Sequence, residues 1–209
     1  MLEKLPDTLG HALHGMRAGR DKTLFHAIDL RAGMGAIRLE SLAFGDHAPI
    51  PALYTADGTG ISPPLHWSGV PAAAVELVLI VEDADSPSPQ PLVHAIAHAL
   101  PADAAGALAE GALGGGNSAP AVATGLNSLL QSAWLAPDPP PGHGLHHYLF
   151  QVFALEAGEG LGSTPGRDAL RQAVLARGLA SGCLVGCYER RDGSITEGAA
   201  GPVGAARIA

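Results

Sequence analysis

A mainly β, single-domain fold is what the sequence predicts, and three features predict it. The 209 residues include 28 glycines and 17 prolines, which favours many turns over long helices. Apolar residues make up 47% and charged residues only 15%, enough for one sizeable core. The apolar residues also fall in short runs of strand length, bounded by Gly, Pro, Asp and Ser.

The elements follow in order, and three parts are expected: a helical extension over 1–36, a strand-rich body over 37–190 and a tail over 191–209. Leu2, Leu5, Leu9, Ala12 and Met16 recur at three- and four-residue spacing, which predicts a short amphipathic helix despite Gly10 and Gly15. Its apolar stripe must dock on its own domain or on a second subunit, which makes a homodimer one expectation. Asp57 to Trp67 reads as a turn-rich loop closed by a tryptophan. Leu77-Val78-Leu79-Ile80-Val81 is a buried-strand run that ends in Glu82-Asp83-Ala84-Asp85-Ser86-Pro87, so carboxylates collect where the strand leaves the core. In the next run, Val93 to Leu100, alternation places His94, Ile96 and His98 on one face.

Gly111 to Asn117 is expected to be a flexible loop, and no Gly-Lys-Ser/Thr follows to make it a phosphate loop. Pro139-Pro140-Pro141 and Gly142-His143-Gly144-Leu145 form a rigid turn ahead of a strand from His146. A period of two puts His146 and Tyr148 on one face with Phe150 and Val152, and His147 on the other. Ser163-Thr164-Pro165 offers a cap followed by proline at the first helical position, and Leu170, Val174 and Arg177 lead to Gly178 as its stop. A strand from Leu184 follows, then a Gly- and Ala-rich tail.

Charge excludes some partners. The net charge is −8 with only 12 Lys and Arg and no basic run, so neither nucleic acid nor an anionic membrane surface is an expected partner. Apolar stretches fall far short of the roughly 18 residues that suggest a span, and the first residues lack a signal peptide's apolar core, so a cytoplasmic location is expected. Cys183 and Cys187, four strand positions apart, would stand about 13 Å apart, beyond disulfide reach. They are expected to be reduced.

The pair His146 and Tyr148 can donate hydrogen bonds from one side of a strand at its first residues, with nothing acidic on that face. Such a pair suits an anion. Taken alone, it reads equally well as a core histidine beside a packing tyrosine. The segments Ile61-Ser62-Pro63-Pro64-Leu65-His66-Trp67, Asp83-Ala84-Asp85-Ser86-Pro87, His94, and Pro139-Pro140 through Gly144-Leu145-His146-His147-Tyr148 shift the balance. Their order and spacing resemble the phosphatidylethanolamine-binding proteins, the family that includes the Raf kinase inhibitor proteins. The resemblance spans roughly residues 37 to 190, with Leu179-Ala180-Ser181-Gly182 and Leu184 to Arg190 near its end.

The resemblance implies an antiparallel Greek-key β-sandwich with a few peripheral helices. It also implies an anion pocket in which Asp83, Asp85, His94, His146 and Tyr148 take part, walled by Asp138, Pro139 and Pro140. The family's proline between the aspartates is here Ala84, the aromatic after the strand histidine is Ala95, and the arginine between histidine and tyrosine is His147. The last change removes an ion-pair donor.

Three functions follow as alternatives. The first is a non-enzymatic protein that binds a small anion such as a phosphate ester or phospholipid head group, with no cofactor. Its affinity would rise as pH falls from about 8 towards 6.5, where histidines ordinarily titrate. The second is an inhibitor or scaffold of a kinase or protease acting through the pocket rim. The third is a metal-assisted hydrolase using His94, His146, Asp83 and Asp85, against which stands the lack of a Cys-x-x-Cys spacing and of a nucleophile elbow.

Overall fold

A computed structural model describes residues 7–28 and 35–190. Its strands in chain order are β1 (Gly35–Ala36), β2 (Arg38–Glu40), β3 (Ala48–Pro49), β4 (Leu65–Ser68), β5 (Glu76–Asp83), β6 (Leu92–Leu100), β7 (Ala105–Leu108), β8 (His146–Leu155) and β9 (Gly178–Tyr188). Helices are α1 (Asp7–Leu13), α2 (Leu24–Ala27) and α3 (Arg167–Arg177). The fold is mainly β, as the turn-rich composition implies.

Two sheets face each other. The larger runs β1-β9-β8-β5-β6, with β3 also on β9; the smaller runs β2-β4-β7. The pairs β5/β6, β5/β8 and β8/β9 are antiparallel, whereas β1 and β3 run parallel to β9, so the sheet is mixed at that edge. Long connections carry the chain between β6 and β8, which is compatible with Greek-key links. The main core lies between the sheets: Leu39, Leu65, Trp67 and Leu108 from one meet Leu79, Val81, Phe150 and Val152 from the other.

The other face of the large sheet is covered by helices, because β5 and β8 are apolar on both sides, as strands buried on both faces must be. Val78, Ile80, Phe153 and Leu155 there pack with Leu24 and Ile28 near the start and with Leu170 and Val174 of α3. The α2 helix has no side-chain cap of its own; its first amides donate instead to Glu82 Oε2 (2.6 Å, from Leu24) and Gln151 Oε1 (2.6 Å, from Phe25). Glu82 also accepts from Arg167 Nε at 2.6 Å and Gln151 Nε2 at 2.9 Å, so one wholly buried carboxylate ties α2, α3, β5 and β8 together.

Several expectations need correction. The α1 helix forms, but Leu9 and Met16 of its apolar stripe are exposed, and Leu2 and Leu5 lie outside the described residues. It docks by Gly10, where a Cβ would stand 1.8 Å from the Pro141 carbonyl oxygen; only a residue without a side chain allows that approach. Leu65 to Trp67 are strand residues rather than the end of a loop. The α3 helix starts at Arg167 behind Gly166, with no side-chain cap from Ser163 or Thr164.

The Gly111 to Asn117 segment is a packed loop, not a flexible one. Leu113 is 1% exposed, and Gly115 at φ 100° sits where a Cβ would meet Gly60 O at 2.4 Å and Trp134 Cδ1 at 2.7 Å. The glycines serve left-handed backbone and close approach there, not mobility.

Candidate functional site

The site is built on the ends of β5, β6 and β8. Pairing of Asp83 with Tyr148 across β5 and β8 sets the first carboxylate beside the strand that carries His146. The pairing of β5 with β6 shifts register between Val81/Ala95 and Glu82/Val93, which leaves His94 as an extra residue. Such a bulge breaks alternation. Ala95 faces the main core and Ile96 the helix side, while the His94 ring stands with Tyr148 and Trp134. The predicted common face for His94 and Ile96 is therefore wrong, and the bulge is what aims His94 at Tyr148.

Asp83, His94, His146 and Tyr148 come together. The Tyr148 ring lies 5.1 Å from His94, edge-on, and 6.3 Å from His146, stacked. All four residues are under 5% exposed, so the expected solvent-open pocket is closed. An open cavity of about 560 Å³ lies instead between the 156–161 loop and α3 and includes none of these residues.

Each group has a defined state of pairing. His94 Nδ1 is 2.6 Å from the Leu135 carbonyl oxygen. A carbonyl only accepts, so Nδ1 carries the proton and Nε2 is the open nitrogen. That Nε2 and the Tyr148 hydroxyl are both buried without a hydrogen-bond partner. Burial holds the His94 imidazole below its ordinary range despite the nearby Asp83 charge. Burial, and then the Asp83 charge, push the Tyr148 phenol well above its usual value, so it stays a neutral donor.

His146 is fully engaged. Its Nδ1 is 2.8 Å from Asp83 Oδ2 and its Nε2 is 2.6 Å from His143 Nδ1. His143 in turn places Nε2 at 2.9 Å from Leu13 O and 3.2 Å from Met16 O, both in the N-terminal segment. The line of three links, Asp83 to His146 to His143 to carbonyl, needs one proton per link. With Asp83 as carboxylate, that is one proton more than two neutral imidazoles hold. Burial, and then the His146 ring, keep His143 below the ordinary histidine range.

Asp85, Asp138 and Pro140 each have hydrogen-bond partners of their own around the ring cluster. Asp85 Oδ2 accepts from the His147 amide (2.8 Å) and faces His147 Nδ1 at 2.7 Å, while Oδ1 accepts from Arg17 Nη1 at 2.6 Å. Burial opposes its charge, but the His147 and Arg17 hydrogen bonds outweigh it and hold the carboxyl below the usual range. Arg17 thus pairs with Asp85 from outside the segment that carries the motif. Asp138 accepts from Arg190 Nη1 at 2.6 Å, and Arg190 also grips Asp57, which accepts from Tyr188 as well. Pro140 O accepts from the His143 amide at 3.1 Å.

Three contributors escaped the sequence reading. His143 and Arg17 carry no signal, because the hydrogen bond that joins them spans 126 positions of the chain. Trp134 stands 6.1 Å from His94, stacks on Phe150 and donates from Nε1 to Tyr54 O. A lone tryptophan just ahead of the prolines at 137 and 139–141 was the available hint.

Comparison with known proteins agrees with the geometry. The phosphatidylethanolamine-binding protein family model matches residues 40–189. UPF0098 protein Rv1910c of Mycobacterium tuberculosis is 40% identical over 73% of this chain and 70% of that protein. A UPF0098 protein of Methanothermobacter thermautotrophicus is 34% identical over 74% of this chain and 99% of its own length. Among solved structures, the phosphatidylethanolamine-binding protein homologue CT736 of Chlamydia trachomatis superposes with a TM-score of 0.66 at 34% identity, over 74% of this chain and 98% of its own. Escherichia coli YbcL shares the fold, with a TM-score of 0.64 at 22% identity over 73% of this chain and 98% of its own. With the family model spanning the strands that carry the site and the matching order of motifs, the chain belongs to the phosphatidylethanolamine-binding protein family.

Proposed function

We propose that the chain is a non-enzymatic binding protein for a small phosphate-type anion, held by His94 and Tyr148 with His146 and Asp83 behind them. One observation carries this reading: His94 Nε2 and the Tyr148 hydroxyl are buried on neighbouring rings with no partner. Buried polar groups are normally satisfied, and two orphans side by side ask for a ligand. Neutral Tyr148 donates to an anionic oxygen. Neutral His94 accepts from a P–OH, and protonated His94 donates to a bare oxygen, so a phosphate matches either state. A reducing compartment suits Cys183 and Cys187, which are free thiols. No helix among the described residues is long and apolar enough to cross a membrane.

Tyr148→Phe separates this reading from a purely structural one. Removing an orphaned hydroxyl should leave the unbound protein as stable as before or about 1 kcal/mol more stable in urea unfolding. The same change should weaken inorganic phosphate binding by roughly tenfold in calorimetry, the worth of one hydrogen bond to a charged acceptor. Phosphoethanolamine tested beside inorganic phosphate shows whether the amine adds anything. A variant that binds both as tightly as wild type removes Tyr148 from the site and the reading with it.

A further inference from the structure

We infer that residues 7–17, with His143 as the plug beneath them, form a self-docked lid that competes with anions for the site; this rests on the anion-binding reading above. Both His146 ring nitrogens are occupied, one by Asp83 and one by His143. His143 is 0% exposed and held from outside by the Leu13 and Met16 carbonyls. An anion on His94 and Tyr148 therefore gains a contact with His146 only after His143 leaves, and His143 leaves only when the segment above it lifts.

Polar and ring contacts hold the segment, among them His14 against the His143 ring at 6.3 Å. Arg17 reaches Asp85 Oδ1 (2.6 Å), Leu145 O (2.8 Å) and His143 O (3.3 Å), bridging the two loops that rim the site. Gly10 abuts Pro141. From Ala18 onward the chain is anchored, with Ala18 N donating to Ser86 O, Gly19 N to Ala84 O, and Leu24 in the core. Before that anchor almost nothing apolar is buried: from Thr8 to Arg17 only Gly10 is buried. A seven-residue helix is far below the length that is stable alone, so α1 exists by docking. A unit that buries so little apolar surface opens at low cost, while the sheet beneath stays folded. The family match begins at residue 40, so the lid lies outside the matched residues.

Two full-chain variants unlatch the lid by different means. Gly10→Val drives a side chain into the Pro141 carbonyl, and Arg17→Ala removes the bridge. In both, amide exchange across residues 8–17 should accelerate, and the affinity for inorganic phosphate should rise roughly tenfold, because binding is no longer reduced by the small open fraction. Adding His94→Ala should abolish the gain. In the wild type, saturating phosphate should itself speed exchange across 8–17. An equal gain with phosphoethanolamine shows that the phosphate group alone is the competitor; a gain confined to phosphoethanolamine overturns that. Faster exchange with unchanged phosphate affinity overturns the lid and leaves the anion site standing. Faster exchange with no phosphate binding by any form, wild type included, overturns the anion site and the lid's role together. Unchanged exchange in both variants shows that the segment is not held by these contacts and overturns the inference outright.

Discussion

Glu82→Ala should cost about 3–5 kcal/mol of folding free energy, the range for removing one partner of a buried ion pair. The carboxylate is 0% exposed and accepts from three donors on three other elements: the Leu24 amide, Gln151 Nε2 and Arg167 Nε. Alanine leaves the Leu24 amide without an acceptor in a dry interior, takes from Gln151 Nε2 the shorter of its two hydrogen bonds, the other going to Leu149 O at 3.3 Å, and opens a void beside them. Glu82→Gln keeps the volume but must point an NH₂ at one of three donors, so it should fall between wild type and alanine. Arg167→Ala should cost less than Glu82→Ala, because that side chain is 20% exposed and Glu82 keeps its other two donors. Urea midpoints for the three variants give the order, and amide exchange over residues 24–28 locates the damage. A loss below about 1 kcal/mol for Glu82→Ala would show that α2 and α3 are held by the Leu24, Leu170 and Val174 packing alone.

Glu82 also shows how far residue order carries. Its run of apolar neighbours made β5 legible, and period two separates it from Asp83, so that Asp83 meets His146 while Glu82 meets the helices. The same rule served β8, where His146 and Tyr148 stand together as the alternation requires. It failed on β6, because one extra residue at His94 resets the phase, and nothing local to Val93-His94-Ala95 announces a bulge. The ring cluster was legible from motif order. Its closure was not. Closure depends on Arg17 and His143 meeting across more than a hundred residues, and a helical periodicity that pointed to Leu9 and Met16 concealed a docking face made of Gly10.

Burial of His94 also moves the pH response away from the one that ordinary histidines would give. An unfolded chain protonates this residue near pH 6.5, whereas in the fold burial depresses it below that value. Between the two values the unfolded state binds more protons, so stability rises with pH there and is lost as pH falls below about 6.5. His143, also depressed by burial, adds in the same direction. Asp85 has the opposite chemistry but the same sign, since its depressed carboxyl loses stability only as pH falls through about 3.8 and below. The window from about 6.5 to 4.5 therefore belongs to the histidines, each contributing at most about 1.4 kcal/mol per pH unit. Urea midpoints should fall between pH 7.5 and 5.5, and His94→Leu should fall less steeply. Saturating phosphate should flatten the wild-type slope from 6.5 to 5.5, because an anion on Nε2 favours the imidazolium and raises its pKa in the complex. The gain in phosphate affinity on acidification should accordingly come at lower pH than the 8 to 6.5 interval of unperturbed histidines. A wild-type stability that is flat or rises from pH 7.5 to 5.5, or a His94→Leu slope identical to wild type, means that His94 does not carry this acid sensitivity. Phosphate that leaves the wild-type slope unchanged means that the anion does not sit on its imidazolium.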